Sequence, residues 1–318
     1  MSKPLRCVSC LTVVMALMFV GGAALSQGKV DPGSAAKSPG ELAGMSRKGY
    51  VDSTMGQLHY RIVAPAVPSK PALVFLPPNP STSLYFAYMM EDLGVDRDAL
   101  AFDLPGYGAS DPPKAPPRLE DYAIAVATAL EALGYGDGRK GKVDISGYHT
   151  GAYVAIELLA SRPDLFKRGV LLGVPFWQGE KLERQRKRLV DDRPAEDGIA
   201  EDGRHVQSLW TATVVNRNAL MPLDRANELF VERLRGGRNE WWAYAADVNY
   251  DARRALQAIT QPVLILNTHG DLHAETKAAA DLIGTATYVD VPELTNAIFD
   301  VGHSFLSARM RAFLDAER

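Results

Sequence analysis

Six short apolar runs constrain this chain more than any other feature: Pro71–Leu76, Asp98–Asp103, Lys142–Ser146, Arg168–Gly173, Gln261–Leu266 and Ala286–Val291. Each has the length of a strand, and most lack the apolar–polar alternation of a strand with one wet face. Such runs belong in a sheet covered on both sides. Helical stretches lie between them; from Leu119 to Leu133 the apolar residues recur with a spacing near 3.6. Strands that alternate with helices imply a parallel sheet with helices on both faces. Val51 to Val63 alternates and carries Met55-Gly56 at its middle, which predicts a hairpin. A helix from Ser304 to Leu314 closes the chain. The expected fold is therefore α/β, with a mostly parallel eight-stranded sheet.

One stretch breaks the alternation. Phe176 to Ala258 is charged, aromatic and helix-like, with no convincing strand. It separates two sheet strands by roughly eighty residues, too many for a plain crossover. The reading is an inserted helical cap over 176–258, with the core formed by 47–175 and 259–318.

The N-terminus has a different composition. Lys3 and Arg6 precede an apolar run, Leu11 to Leu25, broken by Gly21-Gly22, and Ala24-Leu25-Ser26 resembles a small-x-small cleavage site. Residues 1–26 are read as a secretory signal, which places the protein in the periplasm or outside the cell, with no stable membrane anchor after cleavage. Residues 27–46 are rich in Gly, Ser, Pro, Ala and Lys and are read as a flexible linker. Both cysteines, Cys7 and Cys10, fall in the signal. The mature chain would hold none, which excludes disulfides, thiolate catalysis and cysteine metal sites. A net charge of −3 offers nothing to nucleic acid. The partner expected is a small-molecule substrate; the oligomeric state is left open.

Within the core, Gly147-Tyr148-His149-Thr150-Gly151 stands between the strand Lys142–Ser146 and a helical run, Ala152–Leu159. Two glycines permit a sharp turn and a close helix–strand approach. The residue between them is expected at positive φ, which His tolerates better than bulky or β-branched residues. This is the layout of a nucleophile elbow, G-x-Ser-x-G, with histidine in the place of serine.

Four segments together carry a resemblance: Asp103-Leu104-Pro105-Gly106-Tyr107-Gly108-Ala109-Ser110-Asp111-Pro112, the elbow at His149, Asp271 after the seventh strand, and Gly302-His303 before the last helix. From about Gly49 onward the chain resembles an α/β-hydrolase with a helical cap. The resemblance implies that Asp271 and His303 are the acid and base of a triad. It implies an oxyanion hole formed by the backbone N–H groups of Asn79 and Thr150. The chain departs from the family in two places. His149 replaces serine, and Leu76-Pro77-Pro78-Asn79-Pro80 stands where relatives carry a His-Gly pair.

Four roles for His149 follow. It attacks an acyl group as a nucleophile; or it stabilises a developing anion while His303 acts as general base; or it binds a metal with His303, with or without His269 or His273; or it sits in a catalytically inactive ligand site. The metal reading is disfavoured because His269-Gly270-Asp271-Leu272-His273 matches no recognised zinc spacing. No metal and no organic cofactor is expected, since no glycine-rich phosphate loop follows the first strand. Tyr148, Trp177, Trp210 and Trp241 are candidates to line an apolar cleft between cap and core. The expected activity is hydrolysis of a small, largely apolar ester or other carbonyl compound. The alternatives are a lyase, isomerase or cofactor-free oxygenase of the same fold, or a binding protein without turnover.

Overall fold

The computed structural model describes residues 46–192 and 199–317. The expected signal, residues 1–26, and nearly all of the expected linker lie outside the described residues. The strands are β1 (Arg47–Ser53), β2 (Gly56–Val63), β3 (Leu73–Leu76), β4 (Ala99–Phe102), β5 (Val143–Tyr148), β6 (Phe166–Leu172), β7 (Val263–Thr268) and β8 (Ala286–Val291). They form one eight-stranded sheet in the order β1-β2-β4-β3-β5-β6-β7-β8. β2 runs antiparallel to both β1 and β4; every other pairing is parallel. The mostly parallel sheet agrees with the expectation from the apolar runs.

The runs are continuous because both sheet faces are dry. Val74, Leu76, Leu100 and Phe102 face one core, shared with helices Leu119–Ala132 and Thr150–Ser161. Their neighbours Leu73, Phe75, Ala99 and Ala101 face the other, shared with helices Ala87–Leu93 and His303–Leu314. Each large side chain so buried contributes about 1.5–3 kcal/mol, and the alternation fixes which face each one serves.

Between β6 and β7 the described residues contain helices and no strand. The α-helices are Gly179–Arg186, Arg204–Trp210, Leu223–Arg233, Trp242–Asn249 and Ala252–Ala258. Two π-helical turns, Lys187–Asp191 and Thr211–Val215, interrupt the series. The insertion is tied to the loop after β4. There the buried Asp103 carboxylate accepts bonds from the backbone N–H groups of Ser83 (2.7 Å) and Ala109 (3.0 Å) and pairs with His59 Nδ1 (2.9 Å). Gly108 fits because a Cβ at that position would meet Asp103 Oδ2 at 2.2 Å. The loop so held presents Tyr107, whose hydroxyl donates to the Glu240 carbonyl and accepts from Ala243 N–H. The insertion is thereby anchored above the carboxyl ends of the strands, where open α/β sheets bind ligands.

Candidate functional site

β5 ends at Tyr148, and the chain reverses at His149, which has φ 53° and ψ −120°. That backbone costs a non-glycine residue on the order of 1–3 kcal/mol and persists only where the surroundings impose it. They do so here. A Cβ on Gly147 would lie 2.2 Å from the Gly151 carbonyl oxygen, and one on Gly151 would lie 2.0 Å from that of Leu76. The turn is therefore as tight as the glycine pair suggests, and it lifts the His149 side chain off the end of the sheet.

The imidazole lies beside the Tyr148 ring, with centroids 3.9 Å apart. Its Cδ2–Nε2 edge packs over Gly173, where a Cβ would meet Cδ2 at 2.6 Å and Nε2 at 3.0 Å. No hydrogen bond from the described residues engages either ring nitrogen. Burial pushes the His149 pKa down to about 4, because a charged ring would lose its hydration. The side chain is thus a neutral imidazole at neutral pH.

His149 borders two cavities. One, of about 370 Å³, is lined by Asn79, Tyr85, Tyr148, Arg233, Tyr244 and Asp300 among others. The other, of about 220 Å³, is lined by Asn79, Thr150, Trp177, Tyr244, Asp247 and Asp271 among others. Asn79 borders both; its side-chain amide donates to the Glu240 carbonyl, and its own carbonyl accepts from Tyr244 Oη. The backbone N–H groups of Asn79 and Thr150 make no hydrogen bond to the described residues. Trp177 lines the smaller cavity and Tyr148 the larger. Trp210 and Trp241 line neither, and Trp210 instead packs edge-on against Phe230. The expectation of a largely apolar cleft is corrected as well. Four asparagines (79, 216, 218 and 296) and Arg217, Arg233 and Asp300 line the larger cavity. Asn216, Arg217, Asn218 and Arg233 come from turns and helix ends of the insertion, and Asn79, Asn296 and Asp300 from the segments that follow β3 and β8.

The expected acid–base couple is not brought together. His303 Nδ1 lies 2.8 Å from Asp92 Oδ2, on helix Ala87–Leu93, and that carboxylate also accepts from Ser307 Oγ. The His303 ring rests 5.2 Å from Tyr88. No hydrogen bond joins His303 to Asp271 among the described residues, and His303 lines neither cavity at His149. The cause is packing: the final helix lies against the helix that carries Asp92, which puts the two side chains within bonding reach. Asp271 stays on the rim of the smaller cavity, exposed. Asp300, three residues before His303, pairs with Arg225 at 2.7 Å.

One residue that sequence reasoning missed stands at the elbow. Thr150 Oγ1 donates to Asp247 Oδ2 at 2.5 Å, across the junction of sheet and insertion. Asp247 is 4% exposed, and its Oδ1 has no hydrogen-bond partner among the described residues. Burial drives its pKa up to about 8, opposed only by the Thr150 bond. The carboxyl is therefore protonated at neutral pH, and as an acid its hydroxyl has a proton to donate. Its one sequence signal is isolation: Asp247 is the only charged residue in Trp241–Val248.

A family model described as the alpha/beta hydrolase fold matches residues 71–307. A poly(3-hydroxyalkanoate) depolymerase from Ectopseudomonas oleovorans is 25% identical over 264 residues, covering 78% of this chain and 85% of the relative. A hydrolase from Pseudomonas aeruginosa PA01 superposes with a TM-score of 0.70 at 20% identity, over 85% of this chain and 99% of its own. An enol-lactonase from Burkholderia xenovorans LB400 gives 0.68 at 18% identity, over 84% and 100%. These two structures share the fold.

Proposed function

This chain belongs to the α/β-hydrolase fold family, and from that premise we propose that it hydrolyses a small ester, lactone or related carbonyl compound in the cavities around His149. The observation that carries the reading is a neutral imidazole, with neither ring nitrogen hydrogen-bonded to a described residue, at the post the fold gives to its nucleophile. A ring nitrogen attacks the carbonyl carbon through its lone pair. The N–H groups of Asn79 and Thr150 receive the oxyanion. Collapse expels the alkoxide, which takes the proton of Asp247. Water then attacks the acyl-imidazolium, releases the acid and returns a proton to Asp247, and the ring leaves neutral. A neutral base and a protonated acid lining one cavity are the pairing this chemistry needs, and opposite pKa displacements are the usual mark of such a division of labour.

The cavity lining supports a substrate with polar groups besides its carbonyl. Leaving a buried polar group unpaired costs about 1–3 kcal/mol, and Arg233 Nε and Asp300 Oδ2 have no hydrogen-bond partner among the described residues. The charged and then apolar segment at the N-terminus supports export. A second reading, ligand binding without turnover, is favoured by one observation: among the described residues no hydrogen bond couples His149 to an acid or a base.

A panel of p-nitrophenyl esters and simple lactones separates the readings. Turnover should fall about a hundredfold or more in His149→Ala and stay within a few-fold of wild type in His303→Ala. Loss in His303→Ala alone would transfer the chemistry to His303. Wild type without turnover on any member, with a panel compound still raising the melting temperature, would select binding.

A further inference from the structure

Beyond the His149 site, His269, His273 and Asp290 form a second constellation of reactive side chains. His269 directly follows β7, His273 opens helix His273–Ala280, and Asp290 lies on β8. Both imidazoles aim Nε2 at the same carboxylate, His269 at Oδ2 (3.0 Å) and His273 at Oδ1 (2.9 Å). The three ligand atoms lie within 4.8 Å of one another. We propose that these residues form a binding site for a borderline divalent cation, of which zinc is the representative.

Two neutral imidazoles and one carboxylate match the donor preference of zinc, nickel and copper, whereas calcium and magnesium favour oxygen donors. Zinc bonds of about 2.0–2.1 Å put tetrahedral ligand atoms roughly 3.3 Å apart, so each histidine–carboxylate spacing needs adjustment by a few tenths of an ångström and the two ring nitrogens, within 4.8 Å of each other, close by at most about 1.5 Å. The ligands are well supported. The ladder between β7 and β8 pairs Asn267 with Asp290. Asn267 Nδ2 donates to the His273 carbonyl and to Tyr288 Oη, and Tyr288 Oη reaches Asp290 Oδ1 at 3.3 Å. Outer contacts of this kind orient metal ligands. All three side chains are partly exposed, which leaves room for water to complete the coordination sphere. Both histidines flank the loop that brings Asp271 and Leu272 to the smaller His149 cavity. A bound cation would therefore clasp the base of that loop to β8.

The test is calorimetric titration of zinc chloride into tag-free, chelator-treated protein, with differential scanning fluorimetry in parallel. One saturable zinc site that raises the melting temperature is expected. His273→Ala and Asp290→Ala should each weaken it about tenfold or more, whereas His149→Ala should leave it unchanged. Circular dichroism of the metal-free variants confirms that these exposed substitutions leave the fold intact. Absence of saturable zinc binding, or binding that survives in both variants, overturns the proposal. Loss of zinc binding in His149→Ala alone would also overturn it, by moving the cation to the elbow.

Discussion

Gly151→Ala should be among the most destabilising single substitutions in this protein, reducing soluble yield and lowering the melting temperature sharply. The added Cβ would lie 2.0 Å from the Leu76 carbonyl oxygen and 2.7 Å from that of Pro77. Both obstacles are backbone, at the end of a central strand. No rotamer change relieves them; either helix Thr150–Ser161 or β3 must move. Overpacking commonly costs 1–3 kcal/mol, and displaced backbone in a sheet centre should exceed that, to roughly 3–5 kcal/mol. A domain stable by about 5–15 kcal/mol loses much of its margin to such a change. Gly284→Ala is the matched control: nothing lies within 4 Å of its would-be Cβ, and its φ is not positive. It should change stability by no more than about 1 kcal/mol in urea unfolding. Equal stability of the two variants would contradict the tight elbow.

Asp247→Asn should stabilise the protein increasingly as pH rises from about 4 to 8, and by the full amount at pH 9. The sign follows from linkage. An unfolded aspartate titrates near its ordinary value of 3.8, whereas folded Asp247 does so at about 8. Between those values the folded state binds the extra proton, so stability falls as pH rises through that window. The full effect is on the order of several kcal/mol, reached near pH 8 and above. His149 acts in the opposite sense over a different window: its folded pKa of about 4 lies below the ordinary 6.5, so its term raises stability as pH climbs between the two. Asparagine is uncharged, accepts the Thr150 bond and removes only the Asp247 slope. The difference between the two melting curves, taken from pH 5 to 9, isolates that carboxyl. A difference independent of pH would mean that Asp247 is ionised throughout.

The parts of this molecule legible in its sequence are those set by local pattern. Runs such as Leu73–Leu76 are apolar throughout because each face of β3 meets a different core, and that is visible without coordinates. The elbow is legible for a similar reason, since only glycine fits the backbone contacts at Gly147 and Gly151. What escapes is pairing between distant segments. Asp92 stands in Met89-Met90-Glu91-Asp92-Leu93, like any acid on a helix surface, and only the packing of the final helix gives it His303. Asp247 reaches Thr150 across the insertion. The polar lining of the larger cavity is set by how the insertion folds back, which periodicity does not encode.

The central claim is that a neutral, half-buried imidazole at the elbow carries the reaction. The pH dependence of kcat/KM with an activated p-nitrophenyl ester tests it most directly, because that quantity reports the pKa values of the free enzyme. The account predicts a plateau through neutral pH, an acid limb near the His149 value of about 4 and an alkaline limb near the Asp247 value of about 8. An acid limb centred near 6.5, the ordinary imidazole value, would assign the chemistry to a solvated histidine and contradict the account.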